Sequence, residues 1–207
     1  MRSSRPGGRR RLSATRPAGT QAGDLLVAAV AVNGLLLPGT VSGSGWTVAG
    51  QLNGATHRTA VLWRYATASD PTSWSFSSSN ATQMSAAITA YRGTAGTTPI
   101  LTSAASSELL NSSHTIPQVT TTADATQLLH VTGFSGTTTA TPPAGVNVRA
   151  TVGGGASMLV TDRSQFTAGP SGSLTVGSNT PRSSASVTVA IAPVATVVRY
   201  AHTGHND

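Results

Sequence analysis

The chain has 207 residues, 13 basic against 6 acidic side chains, a net charge of +7 and no cysteine. This length can bury a core without metal or disulfide staples, and the missing cysteines exclude a disulfide-stapled scaffold. All 13 basic residues are arginine and six precede residue 17, so the rest sets seven arginines against six acids and carries little field to attract a nucleic acid.

Residues 1–22, rich in Arg, Gly, Pro and Ser, read as an extended arm carrying Arg2, Arg5, Arg9, Arg10, Arg11 and Arg16. Arg10-Arg11 is not followed directly by an apolar run, as a twin-arginine export signal requires, because Arg16, Pro17 and Asp24 intervene. The apolar segment 25–33 is too short to cross a bilayer and fits a buried central strand. A Gly/Ser/Pro connection leads to a strand over 46–51, and Asn53-Gly54 marks a hairpin.

Segment 57–66 alternates, with Thr59, Val61, Trp63 and Tyr65 on one face and Arg58, Ala60, Leu62 and Arg64 on the other. Asp70-Pro71 makes a turn before strands over 73–77 and 83–92. Strands follow over 127–134, 146–152, 156–161, 174–176 and 184–192, with Gly153-Gly154-Gly155 as a hairpin turn. The residues of 74–91 align with 174–191 at a shift of about one hundred, a rhythm that either related halves or any two Ser/Thr-rich sheets would produce.

No segment keeps helical spacing, so the expected fold is all-β: a jelly-roll-like antiparallel β-sandwich of about nine or ten strands. It spans 23–195, with possible halves 23–95 and 115–195, between the N-terminal arm and a frayed C-terminal tail over 196–207. Thr and Ser total 58 residues, which suits half-solvated sheet faces.

Candidate chemistry is sparse. The only glutamate, Glu108, falls in a Ser-rich segment expected to be a loop, so the facing carboxylates of a glycosidase are missing. Asp24, Asp70 and Asp124 sit at turn positions where carboxylates accept backbone N–H groups. A dispersed Ser/His/Asp set is compatible with the spacing, but no Gly-x-Ser-x-Gly elbow is present. His57 and His130 fall in or beside strands and His114 in a polar loop, positions for surface or hydrogen-bonded histidines. His202, His205 and Asp207 could gather around a metal only if the tail folded back. No cofactor or metal is expected. Trp46, Trp63, Trp74 and Tyr91 are candidate sugar-facing aromatics, with core packing as the competing role.

The strings Gly23-Asp24-Leu25-Leu26-Val27-Ala28, Gly45-Trp46-Thr47, Val61-Leu62-Trp63-Arg64-Tyr65-Ala66 and Ala86-Ala87-Ile88-Thr89-Ala90-Tyr91-Arg92-Gly93 carry a resemblance. Over roughly residues 20–95 the chain resembles β-sandwich surface modules of tailed-bacteriophage virions, especially those of actinobacterial hosts. The resemblance implies a non-enzymatic structural protein on the particle surface, decorating the capsid or forming part of the tail. Its implied partners are major capsid or tail subunits and further copies of itself, with possible contact to a host surface glycan and neither nucleic acid nor membrane. Assembly would run through the arm and the sheet edges. The alternative is a carbohydrate-binding or adhesive module of a bacterial surface or secreted protein.

Overall fold

A computed structural model describes residues 8–94 and 97–205, with backbone alone over 194–205. The described residues contain no helix, and the all-β expectation holds. The first half contributes β1 (Arg9–Thr15), β2 (Leu25–Gly34), β3 (Ser42–Gly43), β4 (Thr47–Asn53), β5 (His57–Tyr65), β6 (Ser73–Ser79) and β7 (Ala81–Thr94). The second contributes β8 (Ile100–Ile116), β9 (Thr120–Thr121), β10 (Thr126–Phe134), β11 (Ala140–Thr141), β12 (Asn147–Val152), β13 (Met158–Gln165), β14 (Gly169–Pro170) and β15 (Leu174–Ile191), and β16 (Val194–His205) closes the chain.

Two antiparallel sheets form the sandwich, ordered β16–β7–β2–β5–β4 and β8–β15–β10–β13–β12. The orders superpose when β2, β4, β5 and β7 are matched to β10, β12, β13 and β15. Even the irregularities correspond. A bulge falls between Val48 and Gly50 in β4 and another, one hundred residues later, between Val148 and Ala150 in β12. The two halves, called units below, thus share strand order and a bulge at a separation of one hundred residues.

Each unit adds a small outer layer. In the first, β1 and β3 flank β6; in the second, the end of β8 and β11 flank the start of β15. The outermost strands of the main sheets are exchanged. β8 follows the first unit's last strand but pairs with β15, and β16 follows β15 but pairs with β7. Each unit thus covers the edge of the other's four-stranded main sheet, with β8 and β16 as the new edge strands.

Strand alternation explains the core. Odd-numbered residues of β2 (Leu25, Val27, Ala29, Ala31) join Leu129, Val131, Val187 and Val189 between the sheets. Even-numbered ones (Leu26, Ala28, Val30, Val32) face the first outer layer, where Leu12, Trp46, Trp74 and Phe76 are buried. The two faces expected of 57–66 separate this way: Val61 and Trp63 pack between the sheets, Ala60 and Leu62 beneath the outer layer.

Three expectations are corrected. The arm does not extend to residue 22: Arg9, Arg10 and Arg11 belong to β1, paired with Ser79, Ser78 and Ser77, with Leu12 and Ala14 buried, and Arg16 donates to the Asp70 carbonyl. An Arg run reads as a solvated arm, whereas here Arg9, Arg11 and Ser13 face out from a strand whose inward residues are Arg10, Leu12 and Ala14. Arg2 and Arg5 lie outside the described residues. Segment 100–116, expected as a loop around Glu108, is a 17-residue edge strand whose half-exposed alternation needs few apolar side chains. The backbone of 194–205 is a strand rather than a frayed tail, and Asp207 lies outside the described residues.

Candidate functional site

The aromatics do not form an open platform. Trp46, Trp74 and Tyr91 are buried, and Trp46 meets Trp74 edge-on at 5.4 Å with an interplanar angle of 88°. The Arg64 guanidinium caps Trp74 at 5.4 Å from the ring centroid and is held by Asp70 at 2.7 Å. Trp63 is partly buried against the inter-sheet core and meets Tyr65 at 5.9 Å. These rings are core, because few large side chains are available to fill the space between layers.

The turn carboxylates act as their positions predict. Asp24 accepts from the Gln21 N–H, Asp70 from the Thr67 N–H and Asp124 from the Ala168 N–H. Burial alone would raise Asp24, but hydrogen bonds from Arg92 and Gln21 hold its carboxyl below the usual range. Asp162 lies fully buried where the units meet. Arg149 grips it through two bonds of 2.6 Å and Tyr91 of the other unit donates to it at 3.1 Å. Burial and the Asp162 charge push the Tyr91 hydroxyl well above its usual value, so this network is a structural bridge that stays un-ionised on its tyrosine.

The fold does assemble one serine, histidine and glutamate in triad order, which the scattered spacing left invisible. Ser178 Oγ lies 3.1 Å from His114 Nε2, and His114 Nδ1 lies 3.6 Å from Glu108 Oε2. Ser178 Oγ is also 3.0 Å from the Thr180 carbonyl, which can only accept. His114 Nδ1 and Glu108 Oε2 are buried without a hydrogen bond, and the Asn111 backbone also bonds the imidazole. His114, expected in a polar loop as a surface or hydrogen-bonded residue, lies on a strand, fully buried against the Phe134 ring and hydrogen-bonded. Burial holds its pKa below the ordinary histidine value, against the pull of Glu108. Ser178 Oγ also reaches the Asn111 carbonyl, so the cluster ties β8 to β15 at their bend.

Besides the singly exposed Phe166, Val48 and Val148, two places on the surface stand out. Five leucines are strongly exposed, Leu35 (86%), Leu36 (61%), Leu37 (46%), Leu109 (81%) and Leu110 (70%). All sit at the end of the sandwich where β2 and β10 finish. Leu37 is tied to the β6–β7 turn by Asn80 Nδ2, and Leu109 and Leu110 adjoin the matching bend of β15 beside Asn111. The two units meet at this end, where Asn33 Nδ2 donates to the Phe134 and Gly155 carbonyls. The second place is the outward face of β1–β6–β3, where Arg9 and Arg11 stand among serines around a pocket of about 250 Å³.

No family model, curated protein or solved structure matches this chain.

Proposed function

We propose that this chain is a non-enzymatic structural module that packs against further copies of itself in a surface assembly, with a tailed-phage particle as its setting. The observation that carries the reading is the set of five exposed leucines at one end of the sandwich. A protein working alone rarely leaves this much branched apolar surface in water, and such patches mark contacts with other subunits. The commitment of the described carboxylates and of Ser178 to internal hydrogen bonds supports the non-enzymatic part.

Sedimentation at tens of micromolar tests the assembly. The expected result is a discrete oligomer that becomes monomeric when Leu35, Leu36 and Leu37, or Leu109 and Leu110, are replaced by Ser without change in the far-ultraviolet spectrum. A wild-type monomer throughout would remove the reading. Detection of the chain by mass spectrometry in purified particles from its host tests the setting.

A further inference from the structure

We infer that the outward face of the β1–β6–β3 layer binds the anionic groups of an acidic polysaccharide. The Arg9 end of this face adjoins Leu37 through Ser79 and Asn80, but the site is built from other side chains and does not depend on the assembly reading.

The register builds the site. Arg9, Arg11 and Ser13 of β1 stand opposite Ser79, Ser77 and Ser75 of β6, and Ser42 of β3 stands opposite Ser77 on the other side. Alternation turns Leu12, Ala14, Trp74 and Phe76 into the core and leaves Arg9, Arg11, Ser13, Ser42 and Ser75 exposed, with Ser77 covered between them. The resulting pocket is lined by Arg9, Arg11, Ser42, Ser44, Ser75 and Ser77.

The lining contains no acid, and the described carboxylates are engaged elsewhere: Asp24 with Arg92, Asp70 with Arg64, Asp162 with Arg149, Glu108 with the Thr115 N–H, and Asp124 with the Ala168 N–H. Arg9 and Arg11 are both exposed, and among the described residues neither has a carboxylate partner. Residues two apart on a strand lie about 7 Å from each other on the same face. Two planar guanidinium forks at that spacing suit sulfate or carboxylate groups on one sugar chain, and the surrounding hydroxyls can both donate to and accept from sugar hydroxyls.

The same face argues against a nucleic acid. Single strands are held by aromatic rings that stack on bases, and here Trp46, Trp74 and Phe76 are all turned inward. The ligand class is therefore an anionic chain rich in hydroxyls.

Titration calorimetry on the full chain with dextran sulfate, neutral dextran and single-stranded DNA tests this. Dextran sulfate is expected to bind, and neutral dextran and DNA to bind at least tenfold more weakly. The double variant Arg9→Gln/Arg11→Gln should lose at least tenfold in affinity with its melting temperature unchanged, since both side chains are exposed. Ser75→Ala should lose two- to threefold. Deleting residues 1–7 removes Arg2 and Arg5 but not the pocket, and affinity should stay within threefold. The inference is overturned if DNA binds as tightly as dextran sulfate, if dextran sulfate does not bind, or if the deletion abolishes binding while the double variant keeps it.

Discussion

Beneath the outer layer of the first unit, Leu12, Trp46, Trp74 and Phe76 join Leu26, Ala28 and Leu62 in one continuous apolar cluster. Beneath that of the second, the apolar residues divide into two small groups, around Phe134, Leu159 and Val176 and around Val119, Leu128 and Ala190. Between them runs a polar row. His130 Nδ1 meets Thr188 Oγ1 at 3.2 Å, Thr188 donates to the Pro117 carbonyl, and Thr132 meets Ser186 at 3.0 Å. The strand order is the same over both, so the topology follows from alternation, turns and backbone pairing, and each interior needs only to be filled and hydrogen-bonded. What the difference changes is the response to perturbation: volume loss threatens the first interior and protonation the second.

The largest expected effect lies in the first interior. Phe76→Ala removes a fully buried ring that supports Trp46 at 5.2 Å, and should cost about 3–5 kcal/mol in denaturant unfolding. The matched change in the second unit, Val176→Ala, deletes two methyl groups and should cost about 2 kcal/mol. Equal costs would mean that the two interiors are supported alike and would break the comparison.

Acid should find the second interior first. Burial and the nearby Arg163 hold His130 down to about 4, against the opposing pull of Asp162. A folded pKa below the unfolded value of about 6.5 means that the unfolded chain takes the proton first. The stabilisation is complete above pH 6.5 and is lost as pH falls toward 4, amounting to about 3 kcal/mol at one pKa unit per 1.36 kcal/mol. His57 and His114 shift in the same direction, so the losses add. The first unit carries Ala28 where the second carries His130, and His130→Ala should flatten the stability profile between pH 6.5 and 4. An unchanged slope would show that other groups set the acid response.

Much of this was legible in the chain itself because the signals were local. The apolar run of β2, the two faces of β5 and the turn aspartates all announce themselves within a few residues. Other features did not, each for a physical reason. Arg9-Arg10-Arg11 hides a strand because its inward positions are few, Leu12 and Ala14 carrying the burial. β8 hides because an edge strand half in water selects Ser and Thr over apolar residues. The exchange of β8 and β16 and the meeting of Glu108, His114 and Ser178 are long-range pairings, and nothing in residue order points to them. The Arg and Ser residues of the outer face were visible as a composition but not as a site, because only the β1–β6 register aligns them.

The smallest effect sharpens the comparison where the units touch. Gly133 of β10 corresponds to Ala31 of β2, and the two meet across the sandwich: a Cβ on Gly133 would lie 3.1 Å from the Ala31 Cβ and collide with Thr59 Oγ1. One unit keeps its methyl group only because the other gives one up. Alanine at 133 would gain about 0.4–1 kcal/mol from a less flexible unfolded chain, but the overpacking against buried, β-branched Thr59 should outweigh it. Gly133→Ala is therefore expected to destabilise by about 1 kcal/mol. Thr59 Oγ1 has no hydrogen-bond partner, so Thr59→Ala costs no bond and clears the space. In that background the same Gly133→Ala substitution should be neutral or stabilising, and a double-mutant cycle by thermal unfolding reads the change of sign. Additive costs would mean that the sheets can part at this point, and that the close approach of the two units is not fixed by the glycine.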